Sequence, residues 1–240
     1  MVKVALFVLF LSLCALPRNQ AIAQFTLNCP QLSPVQRNDV LRLLIDTRKS
    51  LAIEWLGEEL PLWESPCNVS IVINNRNGGG STTYTLNNGK ITGLNSEITG
   101  NYQTVIDNVI PHEVMHMVLV DSVRGIIPRW LDEGIASCCE TYGERLRTHN
   151  KYYKRIMPFS QITQIKEYPS DQAACLSMYA QGTSMCQWLI SLKGKREIVA
   201  FAVSCRNGAD QQKAFYKHYG FTNYENAQNH YEQWLKNCEK

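Results

Sequence analysis

Pro111–Glu140 reads PHEVMHMVLVDSVRGIIPRWLDEGIASCCE, and the rest of the chain is arranged around it. Near its start, His112-Glu113-Val114-Met115-His116 matches H-E-x-x-H. On a helix, positions four apart share a face, so His112 and His116 can present two imidazole nitrogens to one metal ion. Glu113 projects beside that face, where a carboxylate can act as a general base. Asn101 to Ile110 carries apolar residues at near-helical spacing, which predicts a helix running into the motif. Pro111 deletes an amide donor there, so the spacing predicts a kink at Pro111 or a helix that begins just before it.

Two histidines make half a site, because a catalytic zinc takes three protein ligands and keeps one position open. Pro128 to Ala136, PRWLDEGIA, offers the third on a second helix: the proline suits a first turn, and Trp130, Leu131 and Ile135 give an apolar side. Glu133 follows His116 by seventeen positions, room for a short connection between the two helices. Asp132 and Glu140 compete for the same role. Asp132 points about 100° away from Glu133 around the helix, and Glu140 lies about two turns further on, so Glu133 is preferred. A bare H-E-x-x-H arises by chance in on the order of one chain in a hundred of this length, as a surface helix with two histidines. The downstream block therefore carries the weight.

H-E-x-x-H followed by P-x-W-L-x-E-G-x-A resembles the gluzincin metallopeptidases, especially their peptidase MA-like branch. The resemblance covers roughly residues 69–236 and is strongest over 111–140. It implies an α+β, zincin-like fold: a small N-terminal β-sheet, then the metal-binding helices, then a mainly helical C-terminal lobe. It also implies one Zn2+ per chain held by His112, His116 and Glu133, with Glu113 as the base in hydrolysis of a peptide or protein substrate. Met178 to Gly194 is similar to the Y-x-x-G segment that follows the metal site in these peptidases, where a tyrosine hydroxyl donates to the oxyanion. Tyr179 is the matching position; the other reading is a tyrosine that simply begins a packed helix.

The chain departs from the family pattern in three ways. Ser137 stands where thermolysin-like enzymes have an acidic residue that orients a histidine, so another residue must do so or the site is looser. The glycine-rich motif with a Met-Glu pair that binds a free amino terminus is absent, which makes an endopeptidase the default. Only Gln24 to Ser33 separate the expected export cleavage point from the first helix, too little for a propeptide.

That cleavage point follows from the first residues. A basic start at Lys3, an apolar run from Val4 to Leu16 and Ala21-Ile22-Ala23 read as a secretory signal peptide, residues 1–23, with residues 24–240 as a single catalytic domain. Its sheet-containing part is expected over about 24–100 and its helical part over about 101–240. Secretion or a periplasmic location follows, without stable membrane insertion after cleavage, since the apolar run is too short to span comfortably. Removing Lys3 and Arg18 leaves 22 basic against 21 acidic residues, about +1, a balance that argues against nucleic-acid binding. Eight cysteines remain, an even number that in an exported chain predicts up to four disulfides; no C-x-x-C pair favours a cysteine metal site. Asn68-Val69-Ser70 is a glycosylation sequon, relevant in a eukaryotic secretory pathway.

Elsewhere the local signals are mixed. Ser33-Pro34 predicts the start of a helix reaching Leu56, and Val69 to Ile73 a strand. Asn74 to Gly80 reads as a polar, glycine-rich loop, and Asn87-Asn88-Gly89 as a hairpin turn between β-prone runs, with Asn95 to Thr99 continuing the sheet. By the resemblance, residues 90–99 form the sheet edge that takes extended substrate, an ordinary structural hairpin being the alternative. Glu144 to Met157 is basic and aromatic and reads as a solvated face; Ile162 to Ile165 suits a short helix. Helices are expected over Ile198 to Val203, over Gln211 to Tyr219 with a stop at Gly220, and over Tyr224 to Leu235. Two rival function classes remain at this point: a non-catalytic domain that binds peptide or cell-wall material, which would not need Glu113, and zinc-dependent hydrolysis of another amide.

Overall fold

The structure is a computed structural model that describes residues 24–76, 78–141 and 156–238. The expected signal peptide lies outside the described residues, as does the basic run 144–157 except for Ile156 and Met157. Strand β1 (Phe25–Asn28), to which the sequence reading assigns no element, leads into helix α1 (Pro34–Leu56). Ser33 begins α1 reciprocally: its hydroxyl accepts from the Gln36 amide at 3.3 Å, and Gln36 Oε1 accepts from the Ser33 amide at 3.0 Å. Gly57 ends it at φ 91°, a left-handed conformation that a side chain resists. Strand β2 (Cys67–Ile73) turns Cys67, Val69 and Ile71 inward at period two. It runs parallel to β1, which requires a long crossover, and α1 is that crossover.

Strands β3 (Gly79–Asn87) and β4 (Lys90–Gly100) form the expected hairpin, with Asn88 at φ 50° and Gly89 at φ 78° making the tight turn. The sheet order is β1-β2-β4-β3, with β4 parallel to β2 and antiparallel to β3. Two expectations are corrected here. Strand β3 begins inside the stretch read as a loop, pairing Gly79 with Thr99 and Gly80 with Ile98. Residues 90–99 are not the sheet edge, because β4 lies between β2 and β3; the edge is β3. Burial explains the order: β4 turns Leu94, Ser96, Ile98 and Gly100 inward, whereas β3 buries no residue fully.

After β4 the chain makes one helical turn (Tyr102–Thr104), a π-turn (Val105–Val109) and helix α2 (Ile110–Val123). Of the two arrangements expected at Pro111, the structure has the second: α2 begins at Ile110, just before it, and the π-turn precedes that start. The Ile110 amide reaches back to the Val105 carbonyl, one residue further than in an α-helix, just before the ring that has no amide to give. Ten of the fourteen residues of α2 are buried, so it is a central helix covered on nearly all sides. Asp121 pins it to α1: Arg48 Nη2 lies 2.8 Å from Asp121 Oδ2, and Trp63 Nε1 donates to the same oxygen at 2.6 Å. Losing one partner of such a buried pair costs about 3–5 kcal/mol.

Helices α3 (Arg129–Ser137), α4 (Phe159–Ile162), α5 (Gln172–Lys193), α6 (Lys195–Cys205), α7 (Gln211–Tyr219) and α8 (Tyr224–Cys238) form the rest. The helix expected over 162–165 lies earlier because Pro158 sets its start. Gly220, at φ 78°, stops α7 as its position predicts. Trp130, Phe159, Trp188, Phe201, Phe215 and Tyr231 are fully buried and join α3 through α8 in one aromatic core. The α+β class is as expected: a mixed sheet, a histidine-bearing helix and a mainly helical C-terminal part. The expected disulfides are not formed among the described residues. Cys29, Cys67, Cys186 and Cys205 pack in the core as small apolar groups, and burial pushes the Cys67 and Cys205 thiols up to about 12. No helix among the described residues is long and apolar enough to cross a membrane.

Candidate metal centre

Helix α2 supplies His112, Glu113 and His116 from its first two turns, and α3 supplies Asp132 and Glu133. The two imidazoles meet edge to face, ring centroids 4.9 Å apart, with their Nε2 atoms 3.2 Å from each other. Glu133 Oε2 completes the group, 3.2 Å from His112 Nε2 and 3.5 Å from His116 Nε2. One ligand atom from each of the three residues lies within 4.8 Å of the others, so His112, His116 and Glu133 converge as the spacing predicts.

The two rival carboxylates stand on the outer side of the rings. Glu140 Oε1 is 2.8 Å from His112 Nδ1, and Asp132 Oδ1 is 2.8 Å from His116 Nδ1. An ionised carboxylate only accepts, so each Nδ1 carries a hydrogen and each Nε2 faces the shared centre. Glu140 and Asp132 thus orient the histidines, a role left open by Ser137. Two nitrogens and one carboxylate oxygen, with ring tautomers fixed from behind, fit a zinc ion.

The electrostatics of the metal-free group agree. Burial alone would lower His112, but hydrogen bonds to Glu133 and Glu140 outweigh it and raise its pKa to about 9. Burial likewise opposes charge on His116, yet the charges of Asp132 and Glu133 hold its pKa well above the usual value. Burial would raise Glu133, but His116 and His112 hold it well below the usual carboxylate range. Three carboxylates against two imidazoles leave a negative excess that favours a divalent cation.

Glu113 is 2% exposed, and its Oε2 accepts from Thr82 Oγ1 of β3 at 2.6 Å. The strand comes this close because Gly80 has no side chain: a Cβ there would stand 2.6 Å from Glu113 Oε1. The glycine run read as a loop is therefore the surface on which the edge strand meets the motif helix. Tyr84, two residues beyond Thr82, has its pKa raised by burial and by the charge of Asp132, which sets it beside the same group.

On the other side, α3 and α5 cross at two glycines. A Cβ on Gly134 would lie 2.5 Å from the Gly182 carbonyl oxygen, and one on Gly182 would lie 2.5 Å from the Trp130 carbonyl oxygen. The glycines of W-L-D-E-G and Y-A-Q-G are thus partners in one helix crossing. That crossing brings Tyr179, in the body of α5, to Glu133. Burial first, then the Glu133 charge and Tyr168, hold the Tyr179 phenol protonated far above its usual range.

Tyr168 escapes the sequence reading, having no motif around it beyond the following Pro169. Its hydroxyl donates to Glu133 Oε1, its ring stacks on Tyr179 at 6.3 Å between centroids, and the Arg129 guanidinium lies over the ring at 4.6 Å. Burial and the charge of Glu133 hold its phenol protonated as well. Thr82 and Gly80 are missed too, although three successive glycines were a signal of close approach.

The family model described as the peptidase MA superfamily matches residues 63–237 of this chain. No curated protein and no solved structure matches it.

Proposed function

The chain belongs to the peptidase MA superfamily, and from that premise we propose that it is an exported, zinc-dependent endopeptidase. The observation that carries the reading is the convergence of His112 Nε2, His116 Nε2 and Glu133 Oε2 beside a buried Glu113. Zinc held by these three atoms supplies Lewis acidity toward water and toward a substrate carbonyl. Glu113 accepts the proton of the attacking water and hands it to the departing amine; Thr82, bonded to Oε2, leaves Oε1 for that transfer. Tyr179 donates its phenolic hydrogen to the carbonyl oxygen as negative charge develops there. Tyr168 and Arg129 hold Glu133 and Tyr179 in position. An extended peptide adds to the free edge of β3, next to Glu113, through backbone hydrogen bonds, a mode that accepts the interior of a chain rather than its terminus.

The test is metal content of the purified protein together with cleavage of a denatured protein substrate, with and without chelator. One zinc per chain and chelator-sensitive cleavage are expected. A protein that takes up no zinc after reconstitution, or cleavage that persists after complete zinc removal, would overturn the reading. Export is tested separately by sequencing the amino terminus of the released protein, expected to begin at Gln24.

A further inference from the structure

A second cluster of reactive groups lies in the C-terminal helices, on residues that the proposed peptidase chemistry does not use. His218 of α7 is 7% exposed and stands between two side chains of α6. Its Nδ1 is 2.7 Å from Glu197 Oε1, and its Nε2 is 2.8 Å from Ser204 Oγ. Lys217 Nζ lies 3.3 Å from the same Ser204 oxygen.

With a neutral His218 ring, the partners set the donor directions in this chain of contacts. The Glu197 carboxylate only accepts, so His218 carries its hydrogen on Nδ1 and offers the Nε2 lone pair. Ser204 then donates its hydroxyl hydrogen to Nε2, while Lys217, which only donates, gives a hydrogen to Ser204 Oγ. Other helical serines behave differently: Ser50, Ser122, Ser177 and Ser191 donate to carbonyls three or four residues back on their own helix. Ser204 sends its hydrogen to an imidazole on another helix. The ring is held edge to face against Phe201, centroids 5.9 Å apart, and the His218 carbonyl accepts from Lys193 Nζ at 2.5 Å.

We propose that Ser204, His218 and Glu197 form a nucleophilic site, separate from the metal centre, that reacts with activated acyl carbonyls such as those of short-chain esters. Ser204 Oγ forms the bond to the carbonyl carbon as its proton passes to His218 Nε2 and the carbonyl electrons move to oxygen. The Lys217 ammonium faces that oxygen as it becomes anionic. Collapse expels the alcohol, which takes the proton from Nε2 and leaves acyl-Ser204. Water then adds with His218 again accepting a proton, and the acid leaves as Ser204 recovers its hydrogen. Glu197 is a positioning residue that keeps the tautomer in which Nε2 is the acceptor. Short acyl chains fit because Ser204 is half-buried on a helical surface.

The experiment uses the full chain carrying Glu113→Gln, with chelator present, so that the metal centre is silent. It is treated with 4-nitrophenyl acetate, and the adduct is located by peptide mass spectrometry. A burst of nitrophenolate with acetyl on Ser204 is expected, absent in Ser204→Ala. Glu197→Gln, a change at a partly exposed position, should slow acylation by about 100-fold, with recovery in Glu197→Asp. The rate should rise with deprotonation of an imidazole, which a merely structural contact would not impose. No adduct on Ser204, or a Ser204 adduct formed equally fast in Glu197→Gln of unchanged helical content, would overturn the proposal.

Discussion

Two histidine clusters in this chain are built on different charge balances. The one on α2 and α3 gathers two imidazoles with Asp132, Glu133 and Glu140, and both Nε2 atoms turn toward one point. The one on α6 and α7 sets a single imidazole between one carboxylate and one hydroxyl, with a lysine behind the hydroxyl. Excess negative charge around converging lone pairs calls for a cation. A line of alternating donors and acceptors instead sets one imidazole nitrogen to take a proton from the neighbouring hydroxyl, with the carboxylate fixing the ring. Histidine is common to both, and its neighbours decide which chemistry it serves.

The comparison breaks first at Glu113 if the metal cluster is not catalytic. Glu113→Gln should lower turnover by about 1,000-fold while zinc content stays unchanged, measured by peptide cleavage beside metal analysis. Zinc retained with full activity would remove the base from the mechanism. Next in size are the carboxylates behind the rings. Asp132→Asn and Glu140→Gln should each weaken zinc binding by about 10–100-fold, read by competition with a chromogenic chelator. An unchanged affinity would mean that the negative excess does not matter.

The scaffold gives a smaller effect. Gly134→Ala puts a methyl group against the Gly182 carbonyl and should destabilise the fold by about 1–3 kcal/mol in urea unfolding. It should also reduce zinc affinity, because the crossing it disturbs carries Glu133.

The smallest effect concerns pH. His112 in the metal-free protein titrates at about 9, above its ordinary 6.5. Such a group stabilises the fold fully below pH 6.5 and loses that contribution as pH rises through 9. Zinc needs the same nitrogen unprotonated, so its stabilisation grows over the same window. Thermal unfolding at pH 6.5 and 9 should therefore move down for the chelated protein while the gap to the zinc-loaded protein widens. Parallel shifts in the two forms would show that proton and metal do not compete at His112.

Local chemistry was legible wherever a few neighbouring residues suffice. The four-residue spacing of His112 and His116 fixes their shared face, Ser33 with Pro34 starts α1, Asn88-Gly89 turns the hairpin, and Gly220 stops α7. Each rests on a helical period, a cap or a positive φ that is decided within one turn of backbone. The P-R-W-L-D-E-G stretch also pointed to the third donor, because Pro128 and its apolar side define a helix that must pack somewhere.

What the tertiary structure alone decided depends on contacts between distant segments. Asp132, Glu133 and Glu140 are the same kind of acid in the sequence. The crossing of α2 and α3, closed against α5 at Gly134 and Gly182, turns Glu133 to the inner nitrogens and the other two to the outer ones. The edge position of β3 follows from which strand face the core covers. Tyr168 reaches Glu133 across 35 positions of chain, and His218 meets Ser204 only because α6 and α7 pack together. A periodic pattern states which face of an element is buried; it does not state what that face is buried against, and both clusters are made of such meetings.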